Sequence, residues 1–409
     1  MKQHYHGRSI PLVAALVTSA SILVARAADP KVHSFDLAGA RSVPFNVQFT
    51  SDLKGCAVAG TNETLQLREM QNGSILAEVP TTPEAPDAQP TPIVFAFIPT
   101  SGQVVVGRAA SLAVHDPRTG ARLRPLEPAP HRIGSIQVSP DGLHAVANPV
   151  YLVPADLTFW NLTSGQALRH LPTDKPPGGY NSRTMPGPSM PAIPIPQWMG
   201  PQGLNTFAST GHRFFRVLEG SSVDAWDLDQ AKCLGTWYPG PMRGHASAVV
   251  ALDDHRVAVA VSDFELRVVD PIANTKLVWI AGNPIKVPTA FHIRDLALSG
   301  DGRRLAVAGM RMKSRRGVLA PAGDMVYDVP LHGEVQLWDV ASAKVLTTFR
   351  GRPTEMFVKV ALNQTGDRVA AVHNGVSIRP NWTSAMQQAY SRNPTEPLRV
   401  TVWDLPGGN

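Results

Sequence analysis

The sequence predicts an all-β, seven-bladed β-propeller of four-stranded antiparallel blades, and three observations carry that expectation. First, a Trp-Asp dipeptide ends three short alternating runs, at Trp226-Asp227, Trp338-Asp339 and Trp403-Asp404. Degenerate copies stand at Arg68-Glu69, His115-Asp116, Trp160-Asn161 and Val269-Asp270, so the second residues are spaced by 47, 45, 66, 43, 69 and 65. Three steps match a blade unit of about 40–45 residues, and the other three equal that unit plus about twenty inserted residues. Second, each unit opens with an apolar strand that runs into a polar turn, as at Ser139-Pro140-Asp141-Gly142, Ser299-Gly300-Asp301-Gly302 and Thr365-Gly366-Asp367. Third, residues 31–38 have strand character and precede the first unit, whereas the last unit ends on its Trp-Asp strand. One such sheet cannot bury its faces alone, so the units are expected to stack around an axis and close into a ring.

Residues 1–27 read as a leader outside the fold. Lys2 and Arg8 flank an apolar stretch from Ile10 to Val24, and Ala25-Arg26-Ala27 supplies small residues for cleavage after Ala27. The stretch falls short of the roughly twenty residues that a membrane span needs. A cleaved signal peptide, secreted or periplasmic location and no membrane span in the mature chain are therefore expected; an uncleaved anchor is the rival reading. Cleavage removes Lys2, Arg8 and Arg26 and no acid, which lowers the formal net charge from +6 to +3. That excess is too small to indicate nucleic acid as a partner.

Residues 28–409 then form a single propeller domain. Residues 31–38 are expected to complete the last blade, because an open ring would leave sheet faces uncovered and an edge unpaired. Within each unit the inner strand (Val94 to Ile98, Ile133 to Val138) precedes the turn. The second strand is near-continuously apolar, as from Val257 to Val261, which marks burial on both faces. The Trp-Asp strand follows, then a turn such as Thr119-Gly120 or Ser164-Gly165, then an outer strand such as Ala167 to Leu171. The tryptophans are expected to pack between neighbouring blades. Cys56 and Cys233 fall in the first and fourth units, across the ring, and are not expected to form a disulfide.

The Trp-Asp and Ser-Pro-Asp-Gly markers resemble the WD-repeat β-propeller family over the whole of residues 28–409. The family's Gly-His marker is clear only at Gly244-His245, and Asp263 stands where the family places a turn aspartate. Val269 replaces Trp in that unit, so the family's His–Ser–Asp–Trp hydrogen-bond network is incomplete there. The resemblance implies that loops joining second to third strands, and loops joining blade to blade, share one face. All three insertions fall in those classes: 172–203 between blades three and four, 310–333 within blade six, and 376–397 within blade seven.

These loops are the expected binding face, since long loops inside a compact domain are usually functional or disordered. The first is Pro-rich and carries Trp198; a coil packed on the ring and a partner-binding lid both stay open for it. The second holds four cations in six residues, Arg311, Lys313, Arg315 and Arg316, followed by Tyr327. Such a set suits carboxylate, phosphate or sulfated sugar, or is simply a solvated charged loop. The third offers Arg379, Trp382 and Tyr390, the composition of an interface hot spot or a sugar-stacking surface.

The axial channel is the second candidate. Arg294, Asp295 and Lys359 lie on expected innermost strands of adjacent blades, either as a pair that satisfies burial or as a ligand site. No nucleophile elbow, zinc-protease helix, phosphate loop or dinucleotide fingerprint occurs, so no catalytic residue, metal ligand or cofactor is assigned. The favoured reading is a non-catalytic binding or scaffolding module for a protein, peptide or glycan. The alternative is a hydrolase or lactonase whose small-molecule or metal site uses channel residues such as Asn46, Asn205 and Asp295.

Overall fold

The structure, a computed structural model, describes residues 30–37, 47–59, 64–81, 93–149, 157–171, 204–217, 222–230, 232–238, 246–261, 265–279, 289–317, 325–353, 355–373 and 398–406. Their strands form seven four-stranded antiparallel sheets. Blade one holds β2 (Val47–Phe49), β3 (Gly55–Ala59), β4 (Thr64–Glu69) and β5 (Ile75–Pro80). Blade two holds β6 (Val94–Phe97), β7 (Val104–Arg108), β8 (Ser111–His115) and β9 (Arg122–Pro125). In blade three follow β10 (Ile133–Val138), β11 (His144–Pro149), β12 (Leu157–Asn161) and β13 (Ala167–Leu171). Blade four is β14 (Asn205–Phe207), β15 (Arg213–Val217), β16 (Val223–Asp227) and β17 (Lys232–Trp237). Blade five is β18 (Ala246–Ala251), β19 (Val257–Val261), β20 (Glu265–Asp270) and β21 (Thr275–Trp279). The sixth comprises β22 (Thr289–Leu298), β23 (Arg304–Gly317), β24 (Met325–Asp339) and β25 (Lys344–Pro353). The seventh comprises β26 (Phe357–Leu362), β27 (Arg368–His373) and β28 (Arg399–Asp404), and its fourth strand is β1 (Lys31–Asp36) from the N-terminal end.

β1 lies antiparallel to β28 in register from Lys31 opposite Asp404 to Asp36 opposite Arg399. The ring is therefore closed by the strand expected to close it. Seven buried apolar clusters each bridge one pair of neighbouring blades, so the core is a set of seams rather than one centre. The Trp-Asp tryptophans sit in these seams. Trp403 of blade seven stacks on Phe349 of blade six at 4.9 Å between ring centroids, and Trp338 joins the cluster shared by blades five and six. Trp226 fills the seam between blades three and four, and Trp160 that between two and three. Where the Trp is lost, Arg68, His115 and Val269 are still buried.

Three of the polar turns after the inner strands share one mechanism. In blade three the Ser139 hydroxyl donates to Asp141 and accepts from the His144 amide, while Asp141 accepts from the Leu143 amide. Ser299 and Asp301 repeat this in blade six, and Thr50 and Asp52 in blade one. The turns between third and fourth strands need a left-handed residue four positions after the Trp-Asp acid. Gly73, Gly120 and Gly165 occupy it, but blade six places Ala343 there at φ 54°. Ala343→Gly is expected to stabilise the protein by about 1 kcal/mol, because only glycine adopts this conformation without Cβ strain. A chemical-denaturation midpoint that stays put or falls would contradict this.

One expectation is corrected. Residues 310–333 are not a loop over most of their length: β23 runs on to Gly317 and β24 starts at Met325. The run Met325-Val-Tyr-Asp-Val329 is rich in β-branched and aromatic residues, which favour strand despite the charge opposite them. Pro330 is accommodated beside a register shift between Arg311 and Met312, where ladder pairing is already interrupted. Segments 172–203 and 376–397 lie outside the described residues, as do the 1–27 leader, Gly244-His245 and Asp263. Cys56 and Cys233 are both free, and burial pushes the Cys56 thiol up to about 12. Among the described residues no helix is long and apolar enough to cross a membrane.

Candidate functional site

Two places collect the sequence-predicted residues: the ribbon that extends blade six, and the axial channel. The ribbon arises because β23 and β24 outrun their neighbours. β22 ends its pairing at Thr289 opposite Lys313, and β25 ends at Pro353 opposite His332. Beyond Lys313 the two strands continue without a further neighbour among the described residues, with Ser314 opposite Asp328, Arg315 opposite Tyr327, Arg316 opposite Val326 and Gly317 opposite Met325. These pairs extend the blade by about 13 Å, at a strand rise of about 3.4 Å per residue. The backbone thus gathers Lys313, Arg315, Arg316 and Tyr327 on one projecting hairpin.

Arg311 stands apart from that set. Its guanidinium donates to both carboxylate oxygens of Glu334, with the Nε contact at 3.2 Å, and lies over the Phe291 ring at 5.0 Å. Glu334 also accepts from Gln336 at 2.7 Å, and Gln336 in turn accepts from Trp338 Nε1 at 3.2 Å. Burial alone would raise the Glu334 carboxyl, but the Arg311 and Gln336 bonds outweigh it and hold the group below the usual carboxylate range. Arg311 is thereby tied to the seam tryptophan. Its role here is structural, because breaking a buried ion pair leaves an uncompensated charge. Trp198, Arg379, Trp382 and Tyr390 lie outside the described residues, as does Asn46.

The channel is lined by the inner strands and encloses about 360 Å³. Its polar wall is laced from blade to blade. Gln137 of blade three donates to the Asn205 carbonyl of blade four at 2.8 Å. Thr206 accepts from the Ala251 amide of blade five, and Ser247 donates to the Ile293 carbonyl of blade six at 2.9 Å. Asp295 accepts from the Val360 amide of blade seven at 2.8 Å. Burial pushes the Asp295 carboxyl above the usual range, against the pull of Lys359 and of the Val360 and Leu296 amides. Asn205 turns its amide to Asn148 at 2.7 Å, across the seam between blades three and four.

Arg294, Asp295 and Lys359 thus share one cavity, as adjacent inner strands implied. They do not form the close ion pair that would only satisfy burial. Asp295 feels Lys359 through space, and none of the ion pairs among the described residues joins it to either cation. Residue 294 is the extra residue of a bulge in β22, between Ile293 and Asp295, and bulges re-aim side chains. The sequence reading did not find the lacing by Gln137, Thr206 and Ser247. Single polar residues on apolar strands were its only trace. Among the described residues no group of three His, Cys, Asp or Glu is placed to hold a metal ion.

No family model matches the chain, and no curated protein matches its sequence. The class that fold and site define is the seven-bladed β-propeller, closed by its N-terminal strand.

Proposed function

We propose that this chain is a secreted or periplasmic binding propeller of divergent WD-repeat type, non-catalytic, which holds a protein, peptide or glycan on the face carrying its insertions. The observation that carries the reading is the blade-six ribbon. A two-stranded hairpin with three cations and a tyrosine extends past both flanking strands, where no fold-closing role accounts for it. The 172–203 and 376–397 connections leave from the same face, since they follow β13 and β27. Arg beside aromatic residues is the composition from which interface hot spots are built. Hydrolysis in the channel finds less support: Asp295 is the one carboxylate of the described wall, and its oxygen is already bonded to the Val360 amide.

The test is a pull-down from the native exported fraction with wild type and Lys313→Ser/Arg315→Ser/Arg316→Ser. Arg311 is left intact because its loss would disturb the Glu334 network. The triple variant is expected to keep its melting temperature and to lose partner binding at least about tenfold at low salt, as three charge contacts are removed. The difference should shrink as salt rises, because screening at 0.15 M acts over about 8 Å. Trp382→Ala should weaken binding at all salt concentrations. If both variants bind like wild type while substitutions in the Asp141 and Asp301 turns abolish binding, the functional face is the opposite one.

A further inference from the structure

The lacing of the channel wall leaves a remainder with a definite charge. Of the polar side chains that line the cavity, Gln137, Asn205, Thr206, Ser247 and Asp295 each bridge to a neighbouring blade. Ring closure explains them. Arg294, Lys359 and Gln48 line the same cavity and take no part in that lacing. Arg294 Nε is buried and has no acceptor among the described residues. Two cations therefore face the cavity against a single carboxylate that is already bonded to the Val360 amide. A guanidinium is always charged, and a buried Nε without an acceptor is costly.

We propose that the axial channel is a binding site for a small anion of carboxylate or phosphate type, held by Arg294 and Lys359. The volume of about 360 Å³ falls in the range of small-molecule sites and excludes a macromolecule. The guanidinium fork matches a carboxylate or phosphate edge, the ammonium supplies a second point charge, and the Gln48 amide offers a neutral donor and acceptor. The bulge in β22 is what makes the site. It leaves Ile293 opposite Gly309 and Asp295 opposite Ala308, and inserts residue 294 unpaired between them, on the wall of the cavity. This site is independent of a partner on the rim.

The test is titration calorimetry on the full chain at low ionic strength with citrate, succinate and inorganic phosphate, and with glycerol as the neutral control. One anion is expected to bind saturably at one site per chain, with glycerol silent; whichever of the carboxylates or phosphate binds more tightly identifies the chemical source. Arg294→Gln and Lys359→Met should each weaken binding at least about tenfold, the usual loss for a charge-assisted hydrogen bond. Asp295→Asn keeps an acceptor for the Val360 amide while removing the opposing charge, and should tighten binding about tenfold. That gain cannot come from misfolding. The ribbon triple variant should bind the anion as wild type does, which separates this site from the rim. Absence of saturable binding by all three anions, or binding unchanged in Arg294→Gln, Lys359→Met and Asp295→Asn, would overturn the proposal.

Discussion

Removing residues 30–37 is expected to lower the melting temperature more than any substitution on the rim or in the channel. β1 supplies the whole fourth strand of blade seven, with its six residues paired to β28. It also joins the seam to blade one. Phe35 and Leu37 are buried in the cluster shared with Val47, Leu53 and Met70, and a side chain on Gly73 would meet the Phe35 ring at 2.5 Å. His33 Nε2 donates to the Met70 carbonyl at 3.0 Å, and Asp36 pairs with Arg399 at 2.6 Å. The Phe35 and Leu37 side chains alone stand for about 1.5–3 kcal/mol each in burial. Their loss also bares the edge of β28 and opens the ring, exposing two sheet faces at once. The milder pair Phe35→Ala/Leu37→Ala keeps the strand and should cost about 5–10 kcal/mol, as two large core truncations do. An unchanged denaturation midpoint in both variants would mean that the ring does not depend on this closure.

What was legible in the sequence is what the chain encodes locally. The Trp-Asp ends and the polar turns after the inner strands are properties of consecutive residues, and they counted the blades correctly. Closure by residues 31–38 was legible because a missing strand and a spare strand are complementary. The extended hairpin was misjudged for a reason of the same kind. Charge density from Arg311 to Arg316 suggests solvated loop, whereas pairing with Met325 to Val329 decides the structure from the other strand. The Arg311–Glu334 pair depends on register, with Met310 opposite Gly333, and no single-strand pattern displays it. Arg294, Asp295 and Lys359 were placed together by blade arithmetic. That they stand without a close ion pair follows from the bulge and the Val360 amide, which are properties of the assembled ring.

Blade seven, which β1 completes, is also expected to be acid-sensitive, on its side towards blade six. His373 ends β27 beside Phe357, whose ring it meets edge-on at 6.0 Å between centroids, and opposite Arg399 of β28. Burial and the nearby Arg399 and Arg352 guanidinium groups, opposed by Asp36, bring its imidazole down from 6.5 to about 4. Glu355 lies 3.8 Å from its Nδ1 and 3.5 Å from Arg399, so the carboxylate is shared rather than dedicated to the ring. In the unfolded chain the imidazole takes up its proton near pH 6.5; in the folded chain it resists until about pH 4. The unfolded state therefore binds more protons in that window, and folding stability falls as pH falls through it. The contribution is fully present above pH 6.5 and costs about 3 kcal/mol by pH 4. His373→Gln keeps a neutral polar group that does not titrate. Its urea-denaturation free energy should fall less than that of wild type between pH 7 and pH 4, by about the same 3 kcal/mol. Asp36 and Glu355 are present in both proteins, so their contributions largely cancel in the comparison. Parallel stability profiles for the two proteins would show that acid enters the ring elsewhere.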